Sequence, residues 1–346
     1  MGSLFPSLPD EIGLECLLRV KLNSHPKLRC VCKSWNAAFK SPHFYQERKR
    51  LNISEKRIFM VQTKGRTTAV IDDISNRVAV YNLENNCCKS LPPAPGPIYS
   101  IEHCHFVKQK LVLITDMFQD STTICVWLYD FACCKWRQGA TMLRWLEAYA
   151  SAADEEGGLI YVGGGFDKSR KPVRSASVYN VEEDKWDVLP DMNALQVYTY
   201  STFKGAFADG KFYVMGTRSA PSFEAFDSYT RSWKTVENRF NCWHSFVSAP
   251  FGRLYFLSDK GLIEYDCGQD KWNIVGPLPT KDWELDIQFA VMVGHNIFVC
   301  RFHPHQGRGY YMVEPPNETG GAINLFRIRK PRGLEGKPIC AATLNV

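Results

Sequence analysis

The sequence predicts a mainly β protein with a small all-α module at its N-terminus. In roughly the first 50 residues, apolar side chains recur at helical spacing. From about residue 56 the pattern changes to short β-branched and aromatic runs separated by Gly, Asp, Asn and Pro, which is typical of strands joined by turns. We therefore expect two domains, residues 1–50 and residues 51–346.

The N-terminal segment predicts three short helices. Ser7–Glu11 has the Pro and acidic residues of a helix start, and Ile12, Cys16, Leu17 and Val20 follow at helical spacing. Leu28, Val31, Cys32 and Trp35 predict one apolar stripe on a second helix, which ends at Ser41-Pro42 before a third. Three short helices bury little surface, so we expect part of this apolar surface to face a partner.

The β region contains a repeat. In four places an aromatic residue is followed seven positions later by Trp, and the intervals between the aromatics are 50, 47 and 39 residues. The pairs are Tyr129/Trp136, Tyr179/Trp186, Phe226/Trp233 and Tyr265/Trp272. Tyr81 extends the series, with Cys88 in the place of the Trp. A period of 40–50 residues with several strands per unit indicates a β-propeller, and the length of the region predicts six blades.

The ring of blades has to close, because an open sheet edge invites aggregation. Residues 339–344 form a single leftover strand, and the first repeat begins at Ile58 without an innermost strand before it. We therefore expect the C-terminal strand to complete the first blade.

Charge and cysteine content limit the classes of function. Residues 1–57 contain 11 Lys and Arg against 5 Asp and Glu, whereas the remaining residues carry 31 of each. A basic module on a neutral body predicts an acidic partner. The odd number of 13 cysteines predicts reduced thiols. No long apolar stretch and no secretory signal pattern is visible, so we expect a cytoplasmic or nuclear protein without a membrane partner.

Specific residues carry a resemblance to a known family. Val178–Trp186 follows an apolar strand ending in Gly163-Gly164-Gly165 and is similar to a kelch repeat, and the other repeats are degenerate versions of it. Residues 8–44 resemble an F-box, with Leu8-Pro9-Asp10-Glu11 and Cys30-Val31-Cys32-Lys33-Ser34-Trp35. The whole chain thus resembles a plant-type F-box/kelch-repeat protein, whose fold is a kelch-type propeller behind a three-helix F-box.

The resemblance implies a non-catalytic substrate receptor of a cullin-based (SCF-type) ubiquitin ligase. The F-box would bind a Skp-type adaptor, which is acidic as a family, and through it the cullin. The adaptor-binding candidates are Leu8, Pro9, Ile12, Leu17, Leu18, Val31 and Trp35. Target proteins suggested by the resemblance are a phenylpropanoid enzyme or a hormone-response regulator, to be ubiquitinated and degraded by the proteasome.

The propeller rim is the expected site of target recognition, because a rigid scaffold that holds variable loops is a common binding arrangement. Aromatic and arginine residues dominate protein interfaces, and eight of them fall in predicted loops. They are Phe166, Arg170, Arg174, Arg218, Trp243, Trp283, Arg301 and Arg308.

Other functions have weaker support. No metalloprotease, nucleophile-elbow or phosphate-loop motif occurs, and we expect no catalytic residue and no cofactor. His103-Cys104-His105 and His303-Pro304-His305 could each offer two metal ligands but have no obvious third, so no metal is expected. The module's basic residues have few aromatics among them, which argues against nucleic acid. Two alternatives stay open: a propeller that binds a small molecule in its central channel, and an F-box scaffold that does not cause degradation.

Overall fold

A computed structural model of the chain describes most of the sequence. The described residues are 3–51, 53, 55–64, 75–94, 100–116, 124–131, 133–142, 144, 146–193, 203–216, 223–237, 240, 245–249, 251–258, 261–278, 287–303, 307–316, 322–334 and 337–345.

The N-terminal module is helical. It contains α1 (Asp10–Leu18), α2 (His25–Leu28), α3 (Lys33–Lys40) and α4 (Pro42–Arg50), with a 3-10 turn at Leu22–Ser24. The expectation of three helices is thus corrected to four, of which α2 is a single turn. Among the residues described, no helix is long and apolar enough to span a membrane.

The prediction of a single helix through Leu28–Trp35 was wrong. Helix α2 ends at Leu28, and α3 begins only at Lys33. Between them, Cys32 has an extended backbone, and its Sγ accepts a hydrogen bond from the Trp35 amide (3.4 Å). Because a residue with this backbone conformation caps a helix rather than continuing it, Val31 lies in an inter-helix turn.

The rest of the chain forms six four-stranded antiparallel sheets, which are the blades of a propeller. Numbered from the inside outward, blade 1 is β24-β1-β2-β3 and blades 2 to 6 take β4 to β23 in groups of four. The strands are β1 (Lys56–Lys64), β2 (Ser75–Asn82), β3 (Cys87–Ser90), β4 (Ser100–Val107), β5 (Lys110–Asp116), β6 (Ile124–Asp130), β7 (Lys135–Gln138), β8 (Ala150–Asp154), β9 (Leu159–Gly163), β10 (Ala176–Asn180), β11 (Lys185–Leu189), β12 (Phe203–Ala208), β13 (Lys211–Gly216), β14 (Phe223–Asp227), β15 (Ser232–Thr235), β16 (Ser245–Ala249), β17 (Arg253–Ser258), β18 (Gly261–Asp266), β19 (Lys271–Gly276), β20 (Ile287–Val293), β21 (Asn296–His303), β22 (Gly307–Glu314), β23 (Asn324–Ile328) and β24 (Lys337–Asn345).

The C-terminal strand closes the ring, as the sequence predicts. Strand β24 pairs antiparallel with β1 from Lys56↔Asn345 to Thr63↔Lys337 and is the innermost strand of blade 1. It contacts the innermost strands of both neighbouring blades, β4 and β20. Backbone hydrogen bonds within blade 1 therefore join the two ends of the propeller chain, and β24 covers the inner edge of β1.

The Tyr/Trp repeat joins neighbouring blades. In each repeat the aromatic and the Trp seven residues later are directly opposite each other on the two outer strands, for example Tyr179↔Trp186 with ring centroids 5.1 Å apart. The indole N–H of Trp186 donates to the Ala140 carbonyl of the preceding blade (2.9 Å). Trp136, Trp233 and Trp272 make the equivalent bond at 2.7–2.8 Å. These residues are structural, because each one ties its blade to the blade before it.

Each pair of adjacent blades shares a buried core. In blade 2, six consecutive residues of β6 are buried, as expected for a strand covered on both faces. Six such clusters lie between the blades, and a seventh cluster fills the helical module around Leu17, Leu18, Phe39 and Phe44.

Candidate functional site: two opposed surfaces

Helix α1 has apolar side chains on both of its sides. On the inner side, Leu17 and Leu18 are buried against Phe39 and Phe44 in the core of the module. Gly13 also lies on this side, where an added Cβ would come within 2.8 Å of the Phe5 ring. Leu17 and Leu18, expected at the adaptor surface, are thus core residues in this structure.

The opposite side of α1 is exposed. Ile12 and Cys16 are four residues apart and share one face of α1. Leu8 is exposed in the turn before the helix, and we call these three residues the outer stripe. Leu8 is 43% exposed and Ile12 is 49% exposed. Pro9 is exposed beside them. This apolar surface has no counterpart within the described part of the chain, which is what a docking surface requires.

Two further adaptor candidates lie elsewhere in the module. Val31 is 60% exposed in the turn before α3. Trp35 is half-buried, its indole N–H donates to the Leu4 carbonyl (2.7 Å), and its ring lies 5.0 Å from that of Phe5. Trp35 therefore holds the segment before α1 in place and so positions the outer stripe.

A buried ion cluster joins the module to the propeller. Glu55, just before β1, receives a hydrogen bond from the Leu22 amide (2.6 Å) and forms ion pairs with Arg48 of α4 and Arg57 of β1. Arg48 is only 2% exposed and also donates to the Val20 carbonyl (2.7 Å). Burial lowers the pKa of Arg48 below its ordinary value. Because one carboxylate serves two buried guanidinium groups, Glu55 fixes α4 against the first strand.

The module packs on one face of the propeller. Arg29 donates to the Phe131 carbonyl (3.1 Å), which lies in the turn between the third and fourth strands of blade 2. In a blade of antiparallel strands, this turn is on the same face as the turn between the first and second strands. The loops between the second and third strands and the links between blades lie on the opposite face, which we call the rim face.

Blade 3 presents a well-defined loop on the rim face. Gly164 and Gly165 have positive φ angles of 68° and 92°. Asp167 Oδ1 accepts from the amides of Ser169 and Lys171 (both 2.9 Å), so the tip is held by its own hydrogen bonds. The exposed residues of the loop are mainly basic: Lys168, Arg170, Lys171 and Arg174.

Phe166 does not belong to this exposed surface. It is 6% exposed, its ring lies 6.0 Å from Phe203, and its backbone exchanges hydrogen bonds with Glu147. The expectation that Phe166 contacts a target is therefore corrected: its side chain packs between blades 3 and 4. Arg170 and Arg174 remain exposed.

Blade 6 carries a basic cleft on the rim face. The cleft has a volume of about 320 Å³ and is lined by four basic side chains, Arg308, Arg327, Arg329 and Lys330. Arg308 lies 5.4 Å from the Phe302 ring centroid, and its Nε donates to Gln288 (3.4 Å). Neighbouring Arg301 lies over the ring of Tyr311 at 5.9 Å. No carboxylate is among the described lining residues, so the cleft favours an anionic ligand.

The remaining rim candidates, Arg218, Trp243 and Trp283, lie outside the described residues. Sequence reasoning missed Arg327, Arg329 and Lys330. The basic run that contains them, Arg327–Arg332, was a visible signal, but the rim candidates were sought only in loops between strands.

The candidate metal ligands His103 and His105 make hydrogen bonds within the propeller. His103 Nε2 is 3.1 Å from the Tyr149 carbonyl, and His105 Nε2 is 2.7 Å from Ser151 Oγ. Burial lowers the pKa of His103 to about 3 and that of His105 to about 4. In the described part of the chain no group of three or more metal-ligating side chains occurs. The His303 side chain and residues 304–305 lie outside the described set.

Comparison with known proteins agrees with this architecture. An F-box domain model matches residues 5–47, and a kelch motif model matches residues 157–193. The Arabidopsis thaliana F-box/kelch-repeat protein At1g80440 is 29% identical over 80% of this chain and 82% of its own length. The Arabidopsis F-box/kelch-repeat protein SKIP30 is 28% identical over 80% of this chain and 76% of its own.

Among solved structures, TolB from Acinetobacter baumannii has a TM-score of 0.55 at 12% identity. The match covers 83% of this chain and 66% of the TolB chain, and it concerns the fold alone.

The fold and the two matched domains define a six-bladed β-propeller that carries an F-box. The chain has F-box and kelch-motif domains, and its homologues are Arabidopsis F-box/kelch-repeat proteins. This combination is that of a substrate-recognition adaptor of SCF-type ubiquitin ligases in general, and it points to a non-catalytic role.

Proposed function

We propose that this chain is the substrate-recognition subunit of an SCF-type ubiquitin ligase. In it the outer stripe and Val31 bind a Skp-type adaptor, and the rim face recruits a target protein. The observation that carries the proposal is the outer stripe. Helix α1 already fills the core of the module with Leu17 and Leu18, and it still presents Ile12 to solvent, next to Leu8 in the exposed turn before the helix. A nine-residue helix with two apolar sides needs a second apolar surface to cover it.

The charge of the module supports the same partner. Lys21, Lys27, Lys33 and Lys40 are exposed around the helices, and the positive charge of the chain is concentrated here. An acidic adaptor surface would be attracted to this side of the molecule, which raises the rate of association.

The rim face supports a target with an acidic segment. The blade 3 loop and the blade 6 cleft both expose arginine and lysine, and arginine forms paired hydrogen bonds with carboxylates. The candidate target classes are a phenylpropanoid enzyme and a hormone-response regulator, and recruitment would lead to proteasomal degradation. We place this function in the cytoplasm, the nucleus or both.

The opposed surfaces explain how such a subunit works without bond chemistry of its own. The module is on one face and the target site on the other, and the Glu55 cluster fixes one relative to the other. Tethering raises the effective concentration of a target lysine near the ubiquitin thioester carried by another subunit. No cofactor and no metal is required of this chain.

The adaptor half of the proposal is tested by co-expressing the chain with a Skp-type adaptor and separating the products by size exclusion. We expect a stable one-to-one complex that is lost in Leu8→Ala/Pro9→Ala. Val188→Ala is a matched control, because Val188 is 80% exposed on the outer strand of blade 3. A folded, monodisperse chain that ignores the adaptor would contradict the proposal.

The target half is tested by capturing proteins on the full chain from plant cells treated with a proteasome inhibitor. A captured target should be lost with the Arg327→Glu/Arg329→Glu variant. It should be retained with the control variant Lys185→Glu/Lys234→Glu, which reverses the same number of charges on the outer strands of blades 3 and 4. The half-life of that target should lengthen with the inhibitor. An unchanged half-life would instead support a scaffold that does not cause degradation.

A further inference from the structure

A cavity of about 400 Å³ lies where the helical module meets blades 1 and 2; we call it the junction cavity. The module contributes Leu22, His25, Arg29 and Tyr45 to its walls, and the two blades contribute the rest. This volume falls in the range of pockets that bind small molecules. The junction cavity is on the opposite face of the propeller from the rim and is separate from the outer stripe.

Aromatic rings form the apolar wall of the cavity. Phe59 and Phe106 are parallel, with ring centroids 5.7 Å apart and an interplanar angle of 3°. Phe131 completes the group, 5.2 Å from Phe59 and 5.8 Å from Phe106. Tyr45 and Tyr129 also line the space. Flat rings arranged in this way favour a planar apolar ligand, which can stack on them or meet them edge to face.

The polar lining is positively charged. Arg29, Arg57 and Lys89 line the cavity, and the described lining residues include no Asp or Glu. Glu55 neutralises only one of the two guanidinium groups that it contacts, Arg48 and Arg57. The positive potential therefore favours a ligand with an anionic group.

His25 supplies a buried hydrogen-bonding atom without a partner. The residue is 4% exposed, and its Nε2 is 3.0 Å from the Val20 carbonyl. Because a carbonyl can only accept, Nε2 carries the proton, and Nδ1 is left as a buried acceptor without a partner. Burial lowers the pKa of His25 to about 4, so this arrangement holds at neutral pH. His25 is therefore a neutral part of the cavity wall and adds no charge to it.

We propose that the junction cavity binds a small organic anion with one or two planar apolar rings. The rings would pack against Phe131 and the accessible edge of the stacked Phe59–Phe106 pair, and the anionic group would face the basic side chains. Because the module and the propeller both line the cavity, a bound ligand would add contacts across the junction. Ligand binding would thereby stabilise the orientation of the adaptor surface relative to the target surface.

The test compares two probes of the same shape on the purified full chain: 2-naphthoate, which is anionic, and 2-naphthamide, which is neutral. Isothermal titration calorimetry should give one site for 2-naphthoate, with an affinity about tenfold higher than that for the amide. The melting temperature should rise with 2-naphthoate concentration. Equal affinity for the two probes, or no saturable binding of 2-naphthoate at millimolar concentration, would overturn the proposal.

Two variants locate the binding site. Lys89→Trp places a large side chain in the cavity from an exposed position on β3, directly opposite the lining residue Val80, and should abolish binding of both probes without unfolding the chain. Lys89→Gln removes a lining cation and should weaken 2-naphthoate several-fold while leaving 2-naphthamide unchanged, whereas Lys185→Gln on blade 3 should change neither. Undiminished binding of 2-naphthoate to a folded Lys89→Trp chain would place the ligand elsewhere and refute the assignment.

Discussion

The helical module and the propeller expose apolar side chains in different ways. In the module, Leu8 and Ile12 are both exposed at the start of α1, one in the turn before the helix and the other in its first turn. In the propeller, the exposed apolar residues are spread over different blades: Val188 on blade 3, Tyr229 on blade 4 and Phe326 on blade 6. Scattered exposure is normal for a globular surface, whereas a contiguous stripe indicates a partner. This difference favours the exposed apolar residues of the module, rather than those of the propeller, as the adaptor-binding surface.

In the propeller, the repeat Trp residues find their packing and hydrogen-bonding partners within the propeller itself. Each repeat Trp packs on the aromatic opposite it and donates its indole N–H to the preceding blade. The module uses Trp35 in a similar way but leaves the outer stripe without a packing partner in the described chain. Substitutions in the propeller should therefore affect folding, and substitutions in the outer stripe should affect binding.

The largest expected effect is the loss of ring closure. Deleting residues 338–346 removes nearly all of β24, the innermost strand of blade 1, and exposes the edges of β1 and of the neighbouring blades. The truncated chain should aggregate, which size exclusion and light scattering would detect. A soluble, monomeric truncation with a native circular dichroism spectrum would show that closure is not needed.

Substitution of Glu55 should destabilise the junction between the helical module and the propeller. Glu55→Ala leaves Arg48 and Arg57 without their shared carboxylate in a buried site, which should cost about 3–5 kcal/mol of unfolding free energy. Denaturant unfolding measures this loss, with Glu47→Ala as the control because Glu47 only forms an ion pair with exposed Arg50. Equal stability of the two variants would mean that the ion cluster does not hold the junction.

The propeller aromatics should be structural only. Trp186→Ala removes a cross-strand ring contact and the hydrogen bond to blade 2, and should cost about 3–5 kcal/mol of unfolding free energy. Val188→Ala, two residues further along β11, should change stability little because Val188 is 80% exposed. Adaptor binding by the folded Trp186→Ala chain should be unchanged. A selective loss of adaptor binding would contradict the claim that the repeat Trp residues are structural only.

Acid should destabilise both regions through buried histidines. Burial lowers the pKa of His25 in the module to about 4, and those of His103 and His105 in the propeller to about 3 and 4. Below the ordinary pKa of about 6.5 the unfolded chain takes up protons that the folded chain does not, so the unfolding free energy falls as the pH drops from about 6.5 toward 4.

Each of these imidazoles should contribute up to about 1.4 kcal/mol per pH unit in that window. Unfolding measured between pH 7 and pH 5 should show a shallower slope for His105→Asn than for wild type. A slope that is the same in wild type and His105→Asn would contradict the assignment of His105 as a buried neutral group.

The repeat of the propeller was readable from the sequence because it is local. Tyr179 and Trp186 are seven positions apart, which brings two residues opposite each other across a tight hairpin, and this spacing occurs in four blades. The pairing of the strand at residues 339–344 was likewise predictable, because the first blade lacked an innermost strand and an open sheet edge is unstable.

The site was less readable because it depends on contacts between distant residues. Ile12 and Leu17 are both apolar residues of α1, and only the packing of α3 and α4 decides that Leu17 is buried and Ile12 is exposed. Phe166 follows a glycine turn that is typical of a loop, but its ring packs against Phe203 from the next blade. The pairing of Glu55 with Arg48 and Arg57 has no sequence motif, because charge pairs require only proximity.

The most direct test of the account is the affinity of the full chain for a Skp-type adaptor, measured by biolayer interferometry with two matched double variants. Ile12→Ser/Val31→Ser changes two exposed apolar residues of the module, and Tyr229→Ser/Phe251→Ser changes two exposed apolar residues of the propeller, at 89% and 87% exposure. We predict that the first variant binds at least about tenfold more weakly than wild type and that the second binds equally well. Equal affinities for all three chains, or no binding by wild type, would contradict the assignment of the outer stripe and Val31 as the docking surface.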